Sequence, residues 1–293
     1  MTTKAWMVFL AAALAAATMG TTALARPVNP AQGWLLDLGF GVEHTSLAFS
    51  ADPKISVATP WSTTDFLISD MPGVRHSGHQ ERSTVALLGL GYGWSRFAGE
   101  FLIGPKLMTV EWKEYDAITG KHLKDFEVAA PGVAFGTRLE GTPFRSGGFS
   151  LDLDFRLLLS IHRDSKVYET KVSTGERKEY YEANAVVLKR YEASMVGVDS
   201  GVGLTGSWAV GAFVPWLALK ARNEAMTLNW SNEFVLPMSW SLKDYNLKSA
   251  KSFSPAAGLD WNFNRNATVR LEAGLANPAS IWLSLFLCSG ERP

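Results

Sequence analysis

Residues able to do chemistry are sparse in this chain. It carries five histidines, one cysteine, and 28 acidic against 28 basic side chains. His44-Thr45-Ser46 sets a histidine and a serine two residues apart, on one face of an extended segment. Such a pair needs hydrogen-bond reach and a carboxylate that orients the ring. Glu43 is adjacent in sequence but points to the other face, so His44 and Ser46 are weak catalytic candidates. His76-Ser77-Gly78-His79 offers a metal two imidazoles without a third ligand, and Ser160-Ile161-His162 reads as a strand end. The single cysteine, Cys288, excludes a disulfide framework and a Cys-based zinc site. No cofactor and no metal is expected. A formal net charge of zero argues against nucleic acid, since phosphate contacts need clustered Lys and Arg.

Most of the charge lies instead on one face of alternating segments. In Ser150–Ile161 the apolar residues Leu151, Leu153, Phe155, Leu157, Leu159 and Ile161 share a face. Ser150, Asp152, Asp154, Arg156 and Ser160 share the other, with Leu158 the exception. The same period of two runs through Trp34–Val42, Thr84–Trp94, Val133–Glu140, Val196–Thr205, Trp208–Lys220, Ser252–Phe263, Ala267–Leu275 and Ser280–Cys288. The phase of Phe101–Trp112 is unclear, and Pro105 suggests a bulge or an edge there. The polar faces collect Asp37, Glu43, Arg138, Glu140, Asp152, Asp154, Arg156, Asp199, Asp260, Asn262, Arg270 and Glu272.

Two architectures build such strands. A soluble sandwich or barrel turns the apolar face inward, whereas an outer-membrane barrel turns it to lipid and the polar face to a lumen. Segments of roughly 9–13 residues match a tilted membrane-spanning strand. Gly and Ser crowd the polar face, as a narrow lumen requires. Trp34, Trp94, Trp112, Trp208, Trp230, Trp261 and Trp282 recur near segment ends, where aromatic girdles would stand at both bilayer interfaces. Trp34, Trp94, Trp112, Trp208, Trp261 and Trp282 are taken as that belt. Short turns at Ser95-Arg96, Gly141–Gly147, Thr205–Ser207 and Asn264–Asn266 alternate with the longer polar segments Thr45–Arg82, Lys113–Asp125, Arg163–Arg190 and Asn223–Lys251.

The expected fold is all-β: an antiparallel up-and-down transmembrane β-barrel of about ten strands, with eight and twelve as alternatives. Glu233–Lys243 reads as a loop hairpin above the membrane or as part of two extra strands. Met1–Ala25 has the order of a secretory signal peptide, with Lys4, an apolar run and Ala23-Leu24-Ala25. That leaves residues 26–293 as one barrel domain. An even strand count puts both ends in the periplasm. A ten-strand lumen is narrow and largely filled by side chains. Its charges must pair, so Asp37, Arg138, Glu140, Asp152, Asp154, Arg156, Asp260, Arg270 and Glu272 are expected to form a network.

The mature chain resembles bacterial outer-membrane β-barrel proteins. The signal peptide, the dyad strands Gly148–Ile161 and Ala267–Leu275, and the closing strand Ser280–Leu287 carry this resemblance. It implies the outer membrane of a Gram-negative envelope, Sec-dependent export, lipopolysaccharide as a neighbour, and the barrel assembly machinery as a partner in biogenesis. Length and strand number also look like omptins, ten-stranded outer-membrane proteases, and Val202-Gly203-Leu204-Thr205-Gly206-Ser207 is similar to their turn. Omptin chemistry requires an Asp pair in one loop and an Asp-x-His pair in another. The matching loops read Glu111-Trp112-Lys113-Glu114-Tyr115-Asp116 and Arg222-Asn223-Glu224-Ala225, and no His follows His162. His44-Thr45-Ser46 is slightly similar to the His-aromatic-Ser-Asn motif of lipid A deacylases and departs from it at Thr45 and Leu47. The leading functional expectation is a structural, surface or narrow-pore role. A barrel-embedded hydrolase and a soluble secreted β-sandwich that binds a ligand are the alternatives.

Overall fold

Alternation of period two becomes strand over almost the whole described chain. A computed structural model describes residues 33–289, apart from 50–53, 68–73, 95, 185–186, 236–237, 250–252, 265 and 277–278. The expected leader Met1–Ala25 lies outside the described residues. The strands are β1 (Gly33–Phe49), β2 (Lys54–Ala58), β3 (Thr63–Leu67), β4 (Val74–Trp94), β5 (Phe97–Asp116), β6 (His122–Ser146), β7 (Phe149–His162), β8 (Lys166–Lys171), β9 (Arg177–Glu179), β10 (Leu188–Trp208), β11 (Phe213–Phe234), β12 (Ser239–Ser249), β13 (Phe253–Asn264), β14 (Ala267–Leu275) and β15 (Ala279–Cys288). One short helix, α1 (Tyr180–Ala183), follows β9.

Ten of these strands close an antiparallel ring in the order β1, β4, β5, β6, β7, β10, β11, β13, β14, β15 and back to β1. Asp37 of β1 stands opposite Gly89 of β4 on one side and Phe286 of β15 on the other. Closure gives each spanning strand a hydrogen-bonded neighbour on both edges, as hydrocarbon surroundings demand. The two ends of the ring meet on the short-turn side, where the Ser289 amide donates to the Trp34 carbonyl.

The apolar face points outward. Leu90, Phe101, Leu107, Leu139, Leu217, Leu219, Leu271 and Ile281 are all more than half or nearly half exposed, while Asp37, Glu43, Glu100 and Asp260 are buried. That polarity is the reverse of a water-soluble sandwich. The apolar band ends near Val42 on β1, Thr84 on β4, Leu107 on β5, Ile161 on β7 and Ala221 on β11; His44, Arg82, Glu111, Arg163 and Asn223 follow at or just beyond it. Pro105 forms no bulge: the β5–β6 register passes unbroken through Pro105 opposite Val133, and the ring faces outward.

Aromatic residues gather on the short-turn rim. Trp34 packs edge-on to Tyr92, Tyr92 to Trp94, Phe149 against Trp208, and Phe213 stacks on Trp261. Two residues assigned to this belt from sequence do not belong to it. Trp34 is 69% exposed, but Trp282 is 9% exposed and lies inside the ring, and Trp112 is buried beyond the band on the other side.

The segments read as long polar loops are largely strand. β1, β4, β5, β6, β10 and β11 run on past the apolar band, and β12 fits between the far ends of β11 and β1, pairing Ala225 with Lys248 and Leu47 with Ser249. The Glu233–Lys243 segment contributes to the β11–β12 hairpin, outside the ring of ten. Here the inward face changes character. Leu47, Met108, Val110, Trp112, Phe126, Val128, Met195, Met226, Leu228, Trp230, Tyr245 and Leu247 form a buried apolar cluster. These extensions are held by burial of that cluster, which a reading of polar loops does not anticipate.

Candidate lumen site

The inward side chains of the ring form a charged lattice around a cavity of about 130 Å³. Nearest the short-turn rim, Arg138 of β6 donates to Asp37 of β1 at 2.8 Å and to Glu100 of β5 at 2.5 Å, and faces Glu140 at 3.3 Å. Asp152 of β7 accepts from the Thr142 and Ser150 hydroxyls at 2.5 and 3.0 Å. Across the cavity, Arg270 of β14 holds Asp260 of β13 through Nε and Nη2, at 2.9 and 3.1 Å, and the Trp216 indole donates to the same carboxylate at 3.1 Å. Lys220 of β11 meets Glu272 of β14 at 2.5 Å.

A second layer lies deeper. Arg222 of β11 is bidentate to Glu43 of β1, at 2.9 and 2.6 Å, and makes two bonds of 2.7 Å to Asp199 of β10. Arg156 of β7 reaches Asp199 at 2.8 Å, lies 3.6 Å from Glu43, and sits over the Trp282 ring at 5.3 Å. The Trp282 indole donates to Glu43 at 3.0 Å. Above this layer, Lys106 of β5 lies between Glu81 of β4 and Glu224 of β11, at 3.2 and 3.6 Å, and the Thr45 hydroxyl donates to Glu224 at 3.0 Å.

Small residues make this crowding possible. A Cβ on Gly41 would stand 2.4 Å from the Trp282 ring, and one on Gly258 would stand 2.2 Å from Trp216. Both indoles therefore lie flat across the wall where a neighbouring strand has no side chain. The one apolar exception on the β7 polar face, Leu158, packs with Val85, Leu87, Leu102, Ala134 and Trp282 in a small inner cluster.

All nine residues of the expected network face the interior. The structure brings Asp37, Arg138 and Glu140 together, Asp260 with Arg270, and Arg156 with Asp199. Asp152 is held by hydroxyls and Asp154 lines the cavity; neither forms an ion pair among the described residues. Sequence reasoning missed Glu81, Glu100, Lys106, Lys220, Arg222 and Glu224. Lys220 and Arg222 lie opposite Gly203 and Gly201 of β10, and their inward phase is available in Trp216, Ala218, Lys220 and Arg222 read together. Glu224 lay in a presumed loop.

The catalytic candidates are not assembled. His44 is partly exposed and Ser46 exposed on the outer surface of β1, opposite Arg82 and Gln80 of β4. Glu43, the adjacent carboxylate, is engaged by Arg222 and Trp282 inside. His79 points into the apolar cluster and shares a 3.0 Å hydrogen bond with the Tyr245 hydroxyl, while His76 lies 3.6 Å from Glu114. Among the described residues no group of three His, Cys, Asp or Glu is placed to hold a metal ion.

No family model and no curated protein matches the chain. Solved structures similar in fold include the outer membrane protein OprG from Pseudomonas aeruginosa, with 8% identity over 89% of this chain and 98% of that one, at a TM-score of 0.42. The outer membrane protease OmpT from Escherichia coli is 11% identical over 86% and 94%, at 0.40. The COG4313 outer membrane channel from Pseudomonas putida F1 is 10% identical over 90% and 99%, at 0.34.

Proposed function

We propose that this chain is an outer-membrane barrel with a structural or surface role, whose lumen is closed on the long-segment side. The observation that carries this reading is the change of the inward face. It is charged within the apolar band and becomes the Met108–Trp112–Tyr245 cluster where the strands leave it. A hydrated ion entering the cavity meets ion pairs and then an apolar cap, and a charge desolvated against such a cap pays no compensating hydrogen bond. The outward apolar band supports the membrane setting. Left in water, that surface would be penalised at about 25 cal/mol per Å². The short-turn rim, where both barrel ends meet, is assigned to the periplasm and the extended strands to the cell exterior.

Reconstitution in planar bilayers tests closure. The purified barrel is expected to insert without producing steady single-channel steps. Persistent ohmic conductance from the wild type would favour the narrow-pore reading, for which the excess of carboxylates over cations facing the cavity is the supporting feature.

A further inference from the structure

The deepest ion pairs do not balance. Four carboxylates, Glu43 on β1, Glu81 on β4, Asp199 on β10 and Glu224 on β11, surround three cations, Lys106 on β5, Arg156 on β7 and Arg222 on β11. Arg222 commits its bonds to Glu43 and Asp199, and Arg156 also points to these two. Glu81 and Glu224 are left with one lysine between them. Both are buried, Glu81 to 1% exposure, and neither Glu81 oxygen has a hydrogen-bond partner among the described residues. Neighbouring groups do not supply the missing charge. The Thr45 hydroxyl already donates to Glu224. His162 of β7 bonds the Ala130 carbonyl through Nδ1, and its Nε2 is buried without a partner; burial first, and the Lys106 charge after it, disfavour a charged ring. A second positive charge at that ring would be both repelled and unsolvated, so the imidazole is neutral.

A buried, uncompensated carboxylate neutralises by taking a proton. We propose that Glu224, the carboxylate farther from Lys106 and the one that borders a water-sized cavity, keeps a proton beside Lys106, forming a proton-dependent latch between the charged lumen and the apolar cap. The placement gives the latch its leverage. Lys106 is followed on the same inward face of β5 by Met108, Val110 and Trp112, and Glu224 on β11 by Met226, Leu228 and Trp230, all in the cap. A cavity of about 20 Å³, bordered by Lys106, Ser160, Asp199 and Glu224, is large enough for one water through which the proton can exchange. Loss of the proton leaves a net negative charge directly beneath the cap and weakens it.

Infrared difference spectra of the whole barrel in detergent test this, comparing wild type with Glu81→Gln and with Glu224→Gln near neutral pH. Each single variant is expected to lose the same protonated-carboxyl stretching band: Glu224→Gln removes the carboxyl that carries the proton, and Glu81→Gln removes the negative charge that helps hold it there. The thermal midpoint of the wild type should also fall as pH rises from about 7 to about 9, and each variant should show a shallower fall. Difference spectra without a protonated-carboxyl band, or pH slopes identical in all three proteins, would overturn the proposal. Should one variant fail to fold, the other carries the test, since each is expected to lose the same band.

Discussion

Arg222 and Glu43, 179 residues apart in sequence, are joined by two parallel hydrogen bonds inside the barrel. The same guanidinium makes two more to Asp199, so one side chain ties β11 to β1 and β10. Removing it leaves two buried carboxylates with too little positive charge. Arg222→Ala is expected to destabilise the barrel in detergent by about 3–5 kcal/mol, the scale for breaking a buried charge cluster. Arg222→Lys should recover part of that loss, since a lysine keeps the charge but not the fork. Equilibrium urea unfolding followed by heat-modifiable gel mobility measures both.

Arg156→Ala should do less harm. Asp199 and Glu43 retain all four bonds from Arg222, and the loss is one 2.8 Å bond to Asp199, the 3.6 Å approach to Glu43 and the contact over Trp282. A decrease of about 1–2 kcal/mol is expected. Arg156→Ala at least as damaging as Arg222→Ala would refute the ranking.

Trp282 and Trp34 should respond differently. Trp282 fills the space left by Gly41 and donates to Glu43, so Trp282→Ala is expected to cost about 3–5 kcal/mol. Gly41→Val should fail for the complementary reason, because its Cβ would occupy the indole. Trp34→Ala, on the outer rim, should change the unfolding free energy by less than about 1 kcal/mol. The measurement is the same detergent unfolding series.

Acid should weaken the cap. His79 lies beyond the apolar band, and burial together with nearby His76 lowers its pKa from 6.5 to about 4. The imidazole is therefore neutral in the folded barrel while the unfolded chain binds a proton below its ordinary value. Its contribution is fully present above about pH 6.5 and is lost as pH falls toward about 4, where the folded ring also protonates. His79→Gln, which keeps a partner for the Tyr245 hydroxyl, should flatten the fall in thermal midpoint across that window.

The outward and inward faces of β1, β7, β14 and β15 were legible because a strand with lipid on one side and charge on the other alternates cleanly. β5 resisted the same reading for a physical reason. Its outward face carries Phe101, Ile103 and Leu107, and its inward face carries Leu102, Met108, Val110 and Trp112, so alternation vanishes where the interior turns apolar. Lys106 was hidden in that stretch. Trp282 has the residue type of an interfacial belt but not its phase. It alternates with Ser280 and Ser284, not with Ile281, Leu283 and Leu285, and that phase points inward. Lys106, Glu81 and Glu224 became neighbours through ring closure and strand extension, which no short-range pattern encodes.

Fluorescence quenching by brominated lipids tests the assignment of faces most directly. In bilayers, Trp94→Phe should reduce the lipid-quenchable part of the tryptophan signal, because Trp94 is 55% exposed on the outer surface. Trp282→Phe should leave the quenchable part intact and remove only signal that lipid cannot reach. A loss of lipid-quenchable fluorescence on replacing Trp282, with none on replacing Trp94, would contradict a barrel that shows its apolar face to lipid and its charges to the lumen.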